Sequence, residues 1–72
     1  MEEQVLNIVS SFTGKTIEEL KSSINNEGVW DSLQKVEIVI ALEDEFDIAF
    51  KQEEIAEINT ISEFINKIQG KI

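Results

Sequence analysis

Cysteine, histidine, proline and tyrosine are all missing from this 72-residue chain. Without cysteine there is no disulfide framework, no thiolate metal site and no cysteine nucleophile. Without histidine the usual general base and the commonest metal ligand are gone, so an enzyme built on Ser-His-Asp or Cys-His logic is excluded. Basic residues are scarce as well: six stand against fifteen acidic ones, a formal charge of −9. Such a field repels nucleic-acid phosphates and anionic lipid surfaces, and it favours encounter with basic protein partners. No apolar run approaches the length of a membrane span, and the acidic start Met1-Glu2-Glu3-Gln4 lacks the positive region of a signal peptide. A cytoplasmic monomer is therefore expected, without nucleic-acid or membrane partners. With Met1 at its start, the chain reads as one whole small domain over residues 1–72.

What is present is helical. The hydrophobic fraction, 42%, is ordinary for a folded chain, so the acidity does not signal disorder. A first helix is predicted from Glu2 to Phe12, with Val5, Ile8, Val9 and Phe12 on one face and Gly14 as its stop. A long connection follows, from about Thr13 to Asp31. Within it Thr16-Ile17-Glu18-Glu19 has the pattern of a capping box that opens a short turn and buries Ile17 and Leu20. The polar run from Ser22 to Gly28 has no period and is expected to be loop, and connections this long usually serve a function or cover the core.

The second helix is predicted from Ser32 to Phe46. Asp31 is a good N-cap, and Gln34 completes an Asp-x-x-Gln variant of the capping box. On a wheel of about 3.6 residues per turn, Ile38, Val39, Leu42 and Phe46 share the core face, with Val36 on its flank. Leu33, Glu37, Ile40 and Asp44 form a separate stripe of two apolar and two acidic side chains. Asp47-Ile48-Ala49-Phe50 alternates and reads as briefly extended, with Ile48 or Phe50 turned inward. A short third helix, Gln52 to Glu57, presents Ile55, with Ile58 just beyond. A last helix, opened by the box Thr60-Ile61-Ser62-Glu63, runs to Gln69 with Ile61, Phe64, Ile65 and Ile68 as its stripe. The fold class is all-α: a small four-helix bundle of three longer helices and one short one, with a long first loop.

The run Asp31-Ser32-Leu33, then Val36-Glu37-Ile38-Val39 and Ala41-Leu42-Glu43-Asp44-Glu45-Phe46, resembles the acyl carrier proteins. The likeness continues through Glu53-Glu54-Ile55-Ala56 and Ile58-Asn59-Thr60-Ile61, so it covers nearly the whole chain. It implies that Ser32, beside Asp31, receives a 4′-phosphopantetheine arm from coenzyme A by way of a phosphopantetheinyl transferase. It implies too that the arm's thiol carries acyl groups as thioesters between enzymes of fatty-acid, polyketide or related specialised biosynthesis. The protein would then be a substrate shuttle and not an enzyme. The family's recognition residues fall on Leu33, Glu37, Ile40 and Asp44, which would meet acyl-activating, acyltransferase or ketosynthase-type enzymes through basic docking patches.

The chain departs from the common fatty-acid carriers beside the serine. Gln34 and Lys35 stand where an acidic residue usually follows, Trp30 replaces a small residue, and the nearest upstream glycine is Gly28. Trp30-Asp31-Ser32-Leu33 is similar to stand-alone specialised carriers. A serine here is ordinarily a cap, but Asp31 can do the capping and leave the hydroxyl free. The Gly-Gly-x-Ser motif of peptidyl carriers is absent. Two other readings stand beside the acyl carrier: an aminoacyl or hydroxyacyl carrier, and an unmodified acidic helical adaptor for a basic partner. No calcium loop, glycine-rich phosphate loop or metal-ligand cluster is present.

Overall fold

A computed structural model describes all residues, Met1–Ile72. The chain is all-α, with helices α1 (Glu2–Thr13), α2 (Ile17–Ser22), α3 (Ser32–Phe46), α4 (Gln52–Glu57) and α5 (Ile61–Gln69). The expected count of four becomes five, because the turn opened by Thr16 continues to Ser22. Its box is closed in both directions: Thr16 Oγ1 accepts from the Glu19 N–H at 3.1 Å, and Glu19 Oε1 accepts from the Thr16 N–H at 3.2 Å. No helix is long and apolar enough to cross a membrane.

Helices α1 and α3 run antiparallel, tied at both ends by side-chain amides. Gln4 Nε2 donates to Glu45 Oε2 at 3.1 Å, and Gln34 Nε2 donates to the Phe12 carbonyl at 3.2 Å. Because α1 also packs on α2 and α5, it is enclosed over a wider arc than one amphipathic stripe requires. Val5, Leu6 and Val9 are buried, whereas Ile8 is only partly so. Leu6 was not expected inside. Phe12 was, and the structure corrects this: it is 37% exposed. Side chains on a helix lean toward its N-terminus. At the end of an antiparallel helix that direction carries the Phe12 ring along α3, beside Ile40 and Ala41, rather than into the core.

The core face of α3 is Ile38, Val39 and Leu42, all buried, with Phe46 partly buried beside them. Val36 is a second correction. It is 53% exposed, since it lies about 160° around the helix from Ile38 and joins the outward side chains. The α5 stripe is buried as predicted, from Ile61 through Ile68. Phe64 stacks edgewise on Phe50 at 6.0 Å between centroids.

Two loops and the C-terminal end complete the enclosure. The segment 23–31 covers the core with Val29 buried, and its Ile24 carbonyl accepts from the Ser62 N–H at 2.9 Å. Helix α3 ends at Asp47, which takes the left-handed conformation (φ 54), one that aspartate tolerates better than most side chains. After it the chain pairs with no strand. The Glu43 carboxylate accepts from the Phe50 N–H at 2.8 Å, and Phe50 is buried and Ile48 partly so, the inward turn expected of this segment. Lys71 forms the only ion pair, 2.9 Å to Glu54, and also sits 5.6 Å from the Phe50 ring centroid. These contacts fasten the C-terminal end to α4.

Candidate functional site

The start of α3 is held from three sides. Upstream, the Trp30 ring packs against Phe64 with centroids 5.2 Å apart, so the aromatic anchors the long loop to α5. At the cap, Asp31 is extended and its Oδ1 accepts from the Gln34 N–H at 2.7 Å. In return Gln34 Oε1 accepts from the Asp31 N–H at 3.0 Å. The same Gln34 amide reaches Phe12 on α1, so one side chain fixes both the cap and the helix crossing. Replacing such a cap by alanine typically costs about 1 kcal/mol.

Ser32 stands at the first helical position, exposed, with its hydroxyl in no hydrogen bond within the protein. The N–H groups of Ser32 and Leu33 also find no protein acceptor, as expected in a first helical turn. Ser32 opens into a hollow of about 220 Å³ lined by Glu27, Gly28, Trp30, Asp31, Lys35 and Asn59. Gly28 has a φ of 80, a backbone conformation that favours glycine on the approach to Trp30. On the far side, Asn59 is fastened by its N–H, which donates to Glu63 Oε1 at 2.8 Å. That bond is the chief reason the Glu63 carboxyl is held below the ordinary carboxylate value, with the Lys35 ammonium a smaller cause.

Glu63 was expected to reciprocate the Thr60 cap. Thr60 Oγ1 does accept from the Glu63 N–H at 3.1 Å, but the carboxylate's return bond goes to the backbone of Asn59, one residue upstream. The hydroxyl of Thr60 donates to the same carboxylate at 3.2 Å, which satisfies the only buried polar residue.

Farther along α3, Leu33, Val36 and Ile40 are 70%, 53% and 61% exposed, and Glu37 and Asp44 are exposed beside them. A second, shallow hollow of about 390 Å³ is lined by Phe12, Glu37, Ile40, Ala41 and Asp44. It brings together three members of the predicted stripe, while Leu33 lies outside it toward Ser32. Periodicity alone does not find Phe12 or Val36 here, since it puts Phe12 on the core face of α1 and Val36 on the flank of the core face of α3. Lys35 was readable at i+3 from Ser32, whereas Asn59 has no sequence signal linking it to α3.

The first arrangement can hold a group on a hydroxyl. It offers an unengaged nucleophile-bearing residue, two free N–H donors and a helix N-terminus, which together stabilise an anion. It does not offer a ready base, since Asp31 is occupied as the cap.

Comparison with known proteins agrees with that chemistry. Residues 3–68 match the family described as a phosphopantetheine attachment site. Acyl carrier proteins from two strains of Buchnera aphidicola subsp. Acyrthosiphon pisum, 5A and Tuc7, are similar to this chain. Each is 51% identical over 41 residues, a stretch covering 57% of this chain and 51% of the relative. The chain thus spans about half the length of the curated relatives it matches.

Proposed function

Because the chain belongs to the phosphopantetheine-attachment family of acyl carrier proteins, we propose that its 72 residues act as one carrier domain with Ser32 as the attachment residue. The family bears a covalently attached 4′-phosphopantetheine and has no catalytic activity of its own. The residues at the start of α3 fit that group: the Ser32 hydroxyl is free and exposed, two N–H donors are unpaired, and a lysine lines the same hollow. When attached, the group supplies a terminal thiol that holds an acyl chain as a thioester.

Everything else falls to the protein. Asp31 and Gln34 keep the first turn of α3 rigid, so that the seryl oxygen stays outward. The free N–H groups of Ser32 and Leu33 favour the negative phosphodiester. Base and metal for the attachment come from the separate phosphopantetheinyl transferase. The core beneath is closed, and both hollows open to the surface.

Docking is assigned to the outward side chains of α3. Leu33, Glu37, Ile40 and Asp44 form the contact, extended by Val36 and by Phe12 of α1. Apolar groups rimmed by carboxylates suit brief binding to basic patches on acyl-activating, acyltransferase or ketosynthase-type enzymes. Charge speeds encounter, and the apolar contacts add modest affinity. The cargo belongs to fatty-acid, polyketide or related specialised biosynthesis, and the protein works in the cytoplasm as a monomer.

The observation that carries this reading is the unengaged Ser32 hydroxyl at a helix start capped by its neighbour. The test is intact mass before and after incubation with coenzyme A and a broad-specificity phosphopantetheinyl transferase. One phosphopantetheine is expected on the wild type and none on Ser32→Ala. Attachment to the alanine variant would refute the assignment.

A further inference from the structure

The hollow beside Ser32 is lined by two carboxylate residues, Glu27 and Asp31, and by a single cation, Lys35. In a chain of net charge −9 this is an unfavourable place for a phosphodiester unless the lysine offsets the neighbours. Lys35 is three residues beyond Ser32, so the two share a helix face. It is half-buried, which shortens its reach into solvent. It belongs to no ion pair, for the only one in the protein joins Lys71 to Glu54. The nearby Glu63 carboxylate is already engaged by the Asn59 N–H and the Thr60 hydroxyl. None of the other lysines lines this hollow.

From these placements we infer that Lys35 is a binding residue for the phosphodiester on Ser32, pairing with its charge and keeping the proximal part of the arm in the hollow between Trp30 and Asn59. The inference rests on the assignment of Ser32 as the attachment residue. It adds that this chain supplies from its own side chain a counter-charge for the attached phosphate. The adjacent carboxylates make that charge necessary: without Lys35, three anions would face one another across a hollow of about 220 Å³. Like charges at such range repel, the more so at low ionic strength.

The experiment compares wild type, Lys35→Gln and Lys35→Arg, each treated with coenzyme A and transferase. Intact mass reports attachment, 31P NMR reports the surroundings of the phosphodiester, and Tm at low salt is taken before and after loading. The phosphorus resonance of loaded Lys35→Gln is expected to differ from that of wild type. Its change in Tm on loading should be less favourable by roughly 2–5 °C, the scale of a partly screened ion pair in a small domain. Arginine should restore both, and high salt should shrink the Tm difference. In the wild type alone, the Lys35 side-chain NMR signals should move on loading while those of Lys67 stay put. That readout serves even if the glutamine variant does not fold.

Failures are distinguishable. No mass gain in the wild type would remove the Ser32 assignment and this inference with it. A normal mass gain, with unmoved Lys35 signals or with a glutamine variant matching wild type in both readouts, would overturn the role of Lys35 alone.

Discussion

The hollow at the start of α3 and the one farther along it share a helix and little else. The first is polar, with Trp30 as its one large apolar wall, and hydrogen bonds of 2.7 to 3.2 Å set its shape. The second is lined by Phe12, Ile40 and Ala41 with carboxylates on its rim, and the crossing of α1 over α3 sets its shape. A covalent bond to a permanent arm needs an oxygen held in one direction, and reciprocal caps provide that. A contact made and broken in each round of transfer needs apolar surface that tolerates water. Burying one such side chain yields about 1.5–3 kcal/mol, enough to register a partner and too little to trap it. On the proposed reading one helix would support both a fixed site and a transient one, because capping chemistry acts only in its first turn.

The contrast can be broken most severely from the second hollow. Reversing Glu37 and Asp44 to lysine should leave the Ser32 geometry and the Tm unharmed. Acyl transfer by a basic partner should nevertheless slow by roughly 10–100-fold at low salt. Transfer rates measured across a salt series check this, and unchanged rates would mean that the carboxylates are only a solvated face.

An attack on the first hollow should do the opposite. Asp31→Ala removes the cap, costing about 1 kcal/mol and lowering Tm by roughly 4–8 °C. Binding of a partner at Ile40 should be little altered. If thermal unfolding of this variant matched wild type, the cap would not be what steadies Ser32.

The mildest perturbation is acid. The Glu63 carboxyl titrates below its ordinary value of 4.5, chiefly through the Asn59 N–H, so the unfolded chain takes up this proton first as the pH falls. Stability from that bond is complete above about pH 4.5 and drains away as the pH drops through the lower folded-state value. Glu63→Gln should therefore flatten the acid limb of Tm against pH, and it should loosen the Asn59 wall of the first hollow without touching the second. An acid limb of unchanged slope would count against that bond.

Those elements whose signals lie within one helical turn were readable in advance. Asp31 and Gln34 three residues apart announced the cap on α3, and Thr16 with Glu19 announced the one on α2. Gly14 marked the end of α1, where it takes a φ of 75. The stripe of α5 was equally plain, since one clean face left a single way to bury it. Misreadings fell where a neighbour chose among several apolar faces. Leu6 and Phe12 exchanged places because α1 meets three partners. Val36 faces outward because the core takes only the arc from Ile38 through Leu42. The Glu63 return bond moved to Asn59 because the turn before α5 brings that N–H closer.

Sequence by itself therefore determined the acidity, through composition, and the helical class, the caps of α2 and α3 and Ser32 in the first turn of α3, through residues three or four positions apart. The tertiary structure alone decided that Phe12 joins Ile40 over the second hollow, that Lys35 and Asn59 meet beside Ser32, and that Trp30 leans on Phe64. Periodicity states how apolar a face is, but only the neighbouring helices decide which faces are covered.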